Sequence, residues 1–192
     1  MESQKGNNES QKLDVRMKRV RIRLPLITER IVIDEFGIDD QKTIQEIYSQ
    51  EDISNYIGSP YCQKGNDSWL EAFERTRKED REAYSIRERT TKQAIGFVSL
   101  FPDDEDITSV EISIGLALGM RNRGYALEAS KMAIQAVFAY TSAVRVVARV
   151  DPRNTSSLRL VENLGMTSIC TRRNELRGSD EQVYAKAKPA SN

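Results

Sequence analysis

The chain is built from short runs whose apolar residues recur at strand or helix spacing. Residues 19–24 and 30–36 alternate apolar with charged positions, which predicts two strands separated by a turn. Ile44, Ile47 and Tyr48 then recur at the spacing of one helix face. We therefore expect two strands followed by an amphipathic helix.

The middle of the chain is dominated by three strand-like runs, 82–89, 93–101 and 108–118. The loops between them are short and polar, so consecutive strands are expected to pair antiparallel as a meander. A second amphipathic helix is expected just before the meander, over residues 66–82, with Trp69 on its apolar side.

The last third of the chain mixes helices with strands. A helix reaching about Tyr140 precedes a β-branched run at 143–150. The next helix follows Asn154 and is expected to stop at Gly165, because glycine favours the residue after a helix. Two strands around a turn at 177–180 complete the pattern. Because helices enter the order late, we expect an α+β sheet and not a doubly wound parallel fold.

Length and composition add a domain boundary to this picture. Residues 1–16 are rich in Ser, Gln, Asn, Glu and Lys, which predicts a disordered tail. The remaining residues, 17–192, contain neither an internal repeat nor a linker, and are expected to form a single domain. Apolar residues make up 39% of the chain, enough for one core.

The charge balance argues against nucleic acid and membranes as partners. Lys plus Arg and Asp plus Glu each number 29, so no overall basic field attracts phosphate backbones or anionic lipids. No apolar run approaches the roughly 18 residues that span a bilayer. The N-terminus lacks the apolar segment of a secretion signal, so a cytoplasmic location is expected.

The absence of histidine restricts the possible chemistry. It excludes Ser-His-Asp and Cys-His catalysis and most zinc sites, so no metal site is expected. Cys62 and Cys170 are far apart in sequence, and Cys170 is expected to be a small buried residue on a strand. An acid or base must therefore be a carboxylate, a tyrosine, a lysine, a cysteine or water.

The stretch RNRGYA, residues 121–126, follows a predicted strand and begins a predicted helix. A glycine there lets a ligand approach the backbone, and the free N–H groups and positive dipole end of a helix favour anions. A solvated basic turn explains the same residues equally well. The stretch matches neither the P-loop nor the G-x-G-x-x-G pattern.

Four stretches, in order, resemble the GNAT acyltransferase superfamily. RNRGYA is similar to its R/Q-x-x-G-x-G/A signature, and DPRNTSSLRLVENLGM to its second signature. LITERIVIDEF and QAIGFVSL are similar to segments of the RimJ/RimL branch. The resemblance covers residues 26–187. It implies a mixed, largely antiparallel central sheet between helices, as a three-layer α/β/α arrangement.

The resemblance also implies acetyl-CoA as co-substrate and assigns residues to it. The pantetheine arm would follow the end of a strand, and Asn154 would reach that arm or line the gap between strands. Ser157 would lie near the sulfur as a candidate proton donor to the thiolate. The position of the family's usual tyrosine acid is taken by Val161. The pyrophosphate would bind Arg121, Asn122, Arg123, Gly124, Tyr125 and Ala126, and the arm would bind Leu116, Ala117 and Leu118.

Glu111 is the candidate general base. It shares one face of its strand with Ser113, ahead of the cofactor turn, where several GNAT enzymes place their base. Base action through an ordered water and a plain solvated glutamate are the alternatives.

The sequence thus predicts an N-acetyltransferase that transfers acetyl from acetyl-CoA to a primary amine by direct attack in a ternary complex. The acceptor is a protein N-terminal α-amino group or a small-molecule amine, and the protein is a monomer or a homodimer. The second hypothesis is a non-catalytic acyl-CoA-binding sensor of the same fold, because the tyrosine position is vacant and histidine is absent.

Overall fold

The computed structural model describes residues 20–50, 82–174 and 178–190. The predicted tail at 1–16 and the predicted helix around Trp69 lie outside these ranges. The strands are β1 Leu26–Ile27, β2 Ile31–Asp34, β3 Glu82–Glu88, β4 Ala94–Pro102, β5 Ser109–Leu116, β6 Arg145–Val150, β7 Thr167–Asn174 and β8 Ser179–Ala187. The α-helices described are α1 Gln41–Ser49, α2 Tyr125–Tyr140 and α3 Thr155–Asn163, with 3-10 turns at Ile38–Asp40 and Leu118–Met120.

The strands form one mixed sheet in the order β1-β2-β3-β4-β5-β6-β8-β7. β3, β4 and β5 pair antiparallel in sequence order, which confirms the predicted meander. β5 and β6 pair parallel, because α2 carries the chain from one end of the sheet back to the other. The remaining neighbours are antiparallel, so the α+β prediction is confirmed.

β5 and β6 pair only over the first half of their length. Their register runs from Ser109 opposite Arg145 to Glu111 opposite Val147. Among the described strands, β5 pairs only with β4 beyond Glu111, whereas β6 continues to pair with β8 as far as Val150. A gap therefore opens between the two strands towards their carboxyl ends, where both strands lead into a helix.

Helices cover both faces of the sheet. One face of β5, including Val110 and Ile112, packs with Ala129, Ala133 and Val137 of α2 in the main core. On the opposite face, a smaller cluster joins α1 to β4, with Tyr48 stacked on Phe97 at 5.2 Å between ring centroids. The alternation of side chains along each strand separates these two sets. The three-layer α/β/α arrangement is confirmed.

The predicted strand at 19–24 is wrong within the residues described. Residues 20–24 are outside the sheet, and pairing starts only at Leu26. The alternation nevertheless has a structural cause, because Val20 is fully buried and Ile22 and Leu24 pack against the core. Pro25 follows directly and has no N–H to donate to a ladder. The pattern therefore reflects packing without backbone pairing.

Two local expectations have opposite outcomes. Gly165 has φ +67 and follows the end of α3, which confirms the predicted helix stop. Cys170 is exposed, so the expectation that it is buried is wrong. It lies on β7, the strand at the edge of the sheet, and the exposed run 167–171 shows that neither face of this strand is covered there. Within the described ranges, helices that are both long and apolar enough to cross a membrane are absent.

Candidate functional site

The turn before α2 presents a run of free backbone donors. Gly124 is the N-cap of α2 with φ +81, and Asn122 has φ +59. The first backbone hydrogen bond of the helix runs from Glu128 N–H to the Gly124 carbonyl, at 3.1 Å. The amides of residues 122–127 have no hydrogen-bond acceptor in the described part of the chain. Such amides, at the positive end of a helix dipole, are suited to an anion.

The two arginines of this turn point to different partners. Arg121 donates from Nε to the Leu116 carbonyl at 3.2 Å, and its Nη2 donates to Oε1 of Gln50. It therefore ties the turn to the end of β5 and to the residue after α1. Arg123 is exposed, and its Nη1 contacts the Met120 sulfur at 3.5 Å. Arg123 is thus the cation of this turn that faces solvent.

The end of β5 is already engaged in main-chain hydrogen bonds. The Ala117 amide donates to Ile95 at 2.9 Å, and the Leu116 carbonyl accepts from Arg121. Leu118 is exposed. A Cβ at Gly96 would lie 2.4 Å from the Gly115 carbonyl, so glycine is required there for β4 to approach β5. Part of the main chain at 116–118 is therefore occupied by the protein itself.

A cluster from the start of the chain holds the first turn of α2. Thr28 Oγ1 and Arg30 Nε donate to the two carboxylate oxygens of Glu128, at 2.5 and 2.7 Å. Arg30 Nη1 donates to the Arg123 carbonyl at 3.0 Å, and its guanidinium lies 4.8 Å from the Tyr125 ring centroid. Burial disfavours the charged form of Glu128, but the hydrogen bonds from Thr28 and Arg30 outweigh it and lower the pKa of Glu128.

This cluster is missing from the sequence-based site. Its members are close to 100 residues apart in the chain, so residue spacing does not reveal the contact. The signal that could have found it is the T-E-R triplet at 28–30, which is one of the stretches that resemble the RimJ/RimL branch.

Tyr125 extends the cluster to β3. Its hydroxyl donates to Glu88 at 2.8 Å. This bond lowers the pKa of Glu88 and raises the pKa of Tyr125, because it favours the carboxylate and the protonated phenol. The first residue of α2 is therefore anchored to the sheet through its side chain.

The start of α3 lies at the carboxyl end of β6. Asn154 is the N-cap of α3, and its Oδ1 accepts from the Ser157 amide at 3.0 Å. The Ser157 side chain is half-buried, and its hydroxyl makes no hydrogen bond to another described residue. Val161, at the position of the family's usual tyrosine, is buried in the core. Asn154 therefore positions the Ser157 backbone and leaves its hydroxyl free.

Glu111 belongs to a charged network at the point where β5 and β6 begin to separate. Its carboxylate forms an ion pair with Nη1 of Arg149. Nη2 of the same guanidinium is 2.6 Å from Asp103, and its Nε is 3.6 Å from Glu181. The Glu111 side chain keeps 17% of its surface exposed, more than Arg149, Asp103 or Glu181. It is thus both a structural ion-pair partner and the most accessible carboxylate of these three.

The fold brings the predicted residues to one end of the sheet. The turn at 121–126 follows β5, and Asn154 and Ser157 follow β6, so both groups flank the gap between these strands. α2 and α3 contact each other on one face. Glu111 lies at the closed end of the gap, five residues before Leu116, which is about 17 Å along a strand.

Comparison with known proteins agrees with this arrangement. Residues 30–167 match the family model described as an acetyltransferase (GNAT) domain. The chain is 25% identical, over 149 residues, to an uncharacterized N-acetyltransferase named p20 from Bacillus licheniformis, covering 72% of this chain and 80% of that protein.

Two solved structures share the fold. A ribosomal-protein-S5-alanine acetyltransferase from Vibrio fischeri has a TM-score of 0.66 at 17% identity, covering 87% of this chain and 100% of that one. A spermidine N-acetyltransferase from Vibrio cholerae, in complex with CoA and spermine, has a TM-score of 0.69 at 17% identity, covering 83% of this chain and 96% of that one. Because the family model matches most of the chain, this protein belongs to the GNAT acetyltransferase family.

Proposed function

We propose that this protein is an N-acetyltransferase that uses acetyl-CoA to acetylate a primary amine by direct attack in a ternary complex. The observation that carries the proposal is the run of amides at 122–127. They have no acceptor among the described residues, and they lie at the start of α2 beside the gap between β5 and β6. A diphosphate provides acceptors of matching charge for such amides.

In this proposal, acetyl-CoA contacts residues on both sides of the gap between β5 and β6. The diphosphate of acetyl-CoA would accept from the amides of the turn, with Arg123 as the exposed cation nearby. The pantetheine arm would run along 116–118, and Asn154 would face it from the other side through its Nδ2. The CoA complex of the similar spermidine N-acetyltransferase supports acetyl-CoA as the donor.

The main chemical difficulty lies in the acceptor, since a lysine-like amine has a pKa near 10 and is protonated at neutral pH. Once neutral, the amine nitrogen attacks the thioester carbonyl carbon and forms the C–N bond. The nitrogen then loses a second proton as the C–S bond breaks, and the departing thiolate takes up a proton from solvent. Holding both reactants in line supplies much of the rate, about 7–11 kcal/mol in favourable cases.

Glu111 is proposed to receive the amine proton, directly or through a water molecule. Its ion pair with Arg149 fixes the carboxylate at the closed end of the gap and leaves part of it exposed. Ser157 is proposed to hydrogen-bond the departing thiolate through its free hydroxyl. A serine is too weak an acid to protonate sulfur fully, so its contribution is stabilisation of negative charge.

The acceptor belongs to one of two amine classes. Similarity to a ribosomal-protein-S5-alanine acetyltransferase and the T-E-R triplet favour the RimJ/RimL branch, and with it a protein N-terminal α-amino group. Similarity to a spermidine N-acetyltransferase favours a small-molecule amine. We propose a cytoplasmic protein that acts as a monomer or a homodimer.

A panel of amines tests the proposal. Each amine is mixed with acetyl-CoA and the protein, and free thiol is measured with and without the acceptor. We expect acceptor-dependent thiol release with at least one α-amino peptide or polyamine. Tight acetyl-CoA binding without acceptor-dependent thiol release across the panel would instead support the alternative function, a non-catalytic acyl-CoA sensor. The buried Val161 at the position of the tyrosine acid favours this alternative.

A further inference from the structure

Glu128 creates an electrostatic problem for the proposed diphosphate site. It lies in the first turn of α2, directly after the amides assigned to the diphosphate. A carboxylate is favourable beside the helix N-terminus on its own, but it repels an anionic ligand that binds there. Its lowered pKa keeps it ionised at neutral pH. The fold must therefore neutralise this carboxylate if the turn is to bind a diphosphate.

Arg30 makes three contacts that address this problem. Two of its nitrogens, Nε and Nη2, lie 2.7 and 2.5 Å from the Glu128 carboxylate. Its Nη1 donates a hydrogen bond to the Arg123 carbonyl at 3.0 Å, which fixes the peptide just before Gly124. A Cβ at Gly124 would lie 3.4 Å from Nη2, so the guanidinium lies directly against the turn.

The remaining groups of the cluster direct Arg30 to these partners. Thr28 Oγ1 donates to Glu128 at 2.5 Å and so completes the hydrogen bonding of that carboxylate. The Tyr125 ring lies under the guanidinium at 4.8 Å. A guanidinium engaged by a carboxylate, a carbonyl and an aromatic ring is held in place more firmly than a solvated one.

We infer that Arg30 is a positioning residue for the diphosphate of acetyl-CoA, acting by neutralising Glu128 and by holding the Arg123 carbonyl so that the amides of the turn face the ligand. The inference rests on the proposed assignment of this turn to the diphosphate. Arg30 does not contact the ligand directly. Thr28 and Arg30 contribute to donor binding through Glu128 and the Arg123 carbonyl.

The test compares acetyl-CoA with S-acetylpantetheine, which lacks the diphosphate and the adenosine 3′-phosphate joined to it. Acetyl-CoA and S-acetylpantetheine carry the same thioester arm, and only acetyl-CoA carries the diphosphate. Dissociation constants are measured by isothermal titration for the full chain and for Arg30→Gln. We expect Arg30→Gln to weaken acetyl-CoA binding about tenfold or more, while S-acetylpantetheine binding changes less than about twofold. Equal weakening for both ligands would overturn the inference, because the effect would not concern the diphosphate.

The double variant Arg30→Gln/Glu128→Gln tests whether Arg30 acts by neutralising Glu128. Removing the unpaired carboxylate is expected to restore most of the acetyl-CoA affinity that Arg30→Gln loses. A double variant as weak as Arg30→Gln would show that the lost affinity does not come from the unpaired Glu128 carboxylate, which contradicts the inference. If Arg30→Gln alone does not fold, Thr28→Val and Glu128→Gln are measured instead. Thr28→Val is then expected to weaken acetyl-CoA binding selectively and Glu128→Gln to preserve it, and the reverse order would overturn the inference.

Arg89→Gln is the matched control. Arg89 is an exposed arginine that donates to the Thr28 carbonyl at 3.3 Å, so this change removes one positive charge beside the same segment without touching Glu128. It is expected to leave both dissociation constants unchanged within about twofold. Wild-type protein that binds the two ligands equally well would contradict the proposed diphosphate site itself, a result distinct from a failure of Arg30 alone.

Discussion

At the residue scale, Gly124 determines the shape of the turn before α2. Its φ of +81 lies in the left-handed region, which a β-branched residue adopts only at a cost of about 1–2 kcal/mol. Gly124→Val is therefore expected to lower the free energy of unfolding by that amount and to abolish the stabilisation by acetyl-CoA, because the side chain also blocks the amides. Thermal unfolding with and without acetyl-CoA measures both effects.

Gly119→Val provides the control for this substitution. A Cβ at Gly119 meets no atom within 4 Å, and its φ is not positive. Gly119 lies in the 3-10 turn, only five residues from Gly124. The Gly119→Val protein is expected to retain the stabilisation by acetyl-CoA. Normal acetyl-CoA binding by Gly124→Val would show that this turn is not the diphosphate site.

Glu111 gives a second prediction at this scale. Glu111→Gln keeps the shape of the side chain and an acceptor for Arg149 but removes the basic carboxylate. We expect kcat to fall about 10²-fold or more, with an unchanged dissociation constant for acetyl-CoA. Glu105→Gln, which changes the exposed partner of Arg172, is expected to leave kcat unaffected. If Glu111→Gln keeps the pH–rate profile of the wild type, Glu111 is not the base, and an ordered water molecule is the remaining candidate.

The sequence predicts some of these residues and not others. The turn at 121–126 is a local pattern, so its glycine and its position before a helix can be read from the sequence alone. Arg30 and Glu128, or Glu111 and Arg149, are partners only after folding, and periodicity says nothing of such pairs. The sequence therefore predicts Glu111 as a base but does not predict its ion pair with Arg149.

At the element scale, the hydrophobic pattern predicts the type of each single helix or strand. It does not predict which strands pair with each other. The three meander strands and the helices α1, α2 and α3 follow from their periods and short loops. The run at 20–24 has the period of a strand, yet it pairs with none of the described strands. The parting of β5 from β6 after Glu111 has no local signal either, because it depends on which neighbour each strand keeps.

Asp106 links the loop between β4 and β5 to the first residues of β5 and β6. It accepts from the Thr108 amide and hydroxyl at 3.0 and 2.7 Å and from the Ser109 hydroxyl at 2.7 Å, and it pairs with Arg145 of β6. The hydrogen bonds from Ser109 and Thr108, followed by that from Arg145, hold the pKa of Asp106 well below its usual range. The carboxylate form thus stabilises the parallel end of β5 and β6.

Asp106→Asn is expected to lower the free energy of unfolding by about 1–3 kcal/mol at pH 7. A carboxylate with a lowered folded-state pKa stabilises the fold above its unfolded pKa, near 3.9, and loses this effect as pH falls through the folded value. The difference from wild type should therefore be full above about pH 5 and shrink below about pH 4. Urea unfolding at several pH values measures it.

Asp180→Asn serves as the comparison for Asp106. Asp180 is 58% exposed and lies 3.4 Å from Arg173, so removing its charge is expected to change stability by less than about 1 kcal/mol. A difference between Asp106→Asn and wild type that stays constant from pH 7 to pH 3 would contradict the role assigned to the ionised carboxylate.

At the scale of the whole molecule, a donor bound in the gap between β5 and β6, as proposed, would link the two halves of the sheet and stabilise the fold. One strand leads to the turn at 121–126 and the other to Asn154, and β5 and β6 pair with each other only from Ser109 to Glu111 and from Arg145 to Val147. A donor bound along the gap would contact both halves in the folded state and neither in the unfolded chain. Its binding free energy therefore adds to the stability of the fold.

Acetyl-CoA at about 100 times its Kd is expected to raise the free energy of unfolding by roughly 2.7 kcal/mol. For a chain of this size, that corresponds to a rise of about 5–10 °C in Tm. Differential scanning fluorimetry over a concentration series measures the shift, with pantetheine at the same concentrations as the control that lacks the diphosphate. An unchanged Tm at millimolar acetyl-CoA would contradict the donor assignment. A shift as large with pantetheine would instead place the binding energy in the arm along β5, away from the turn.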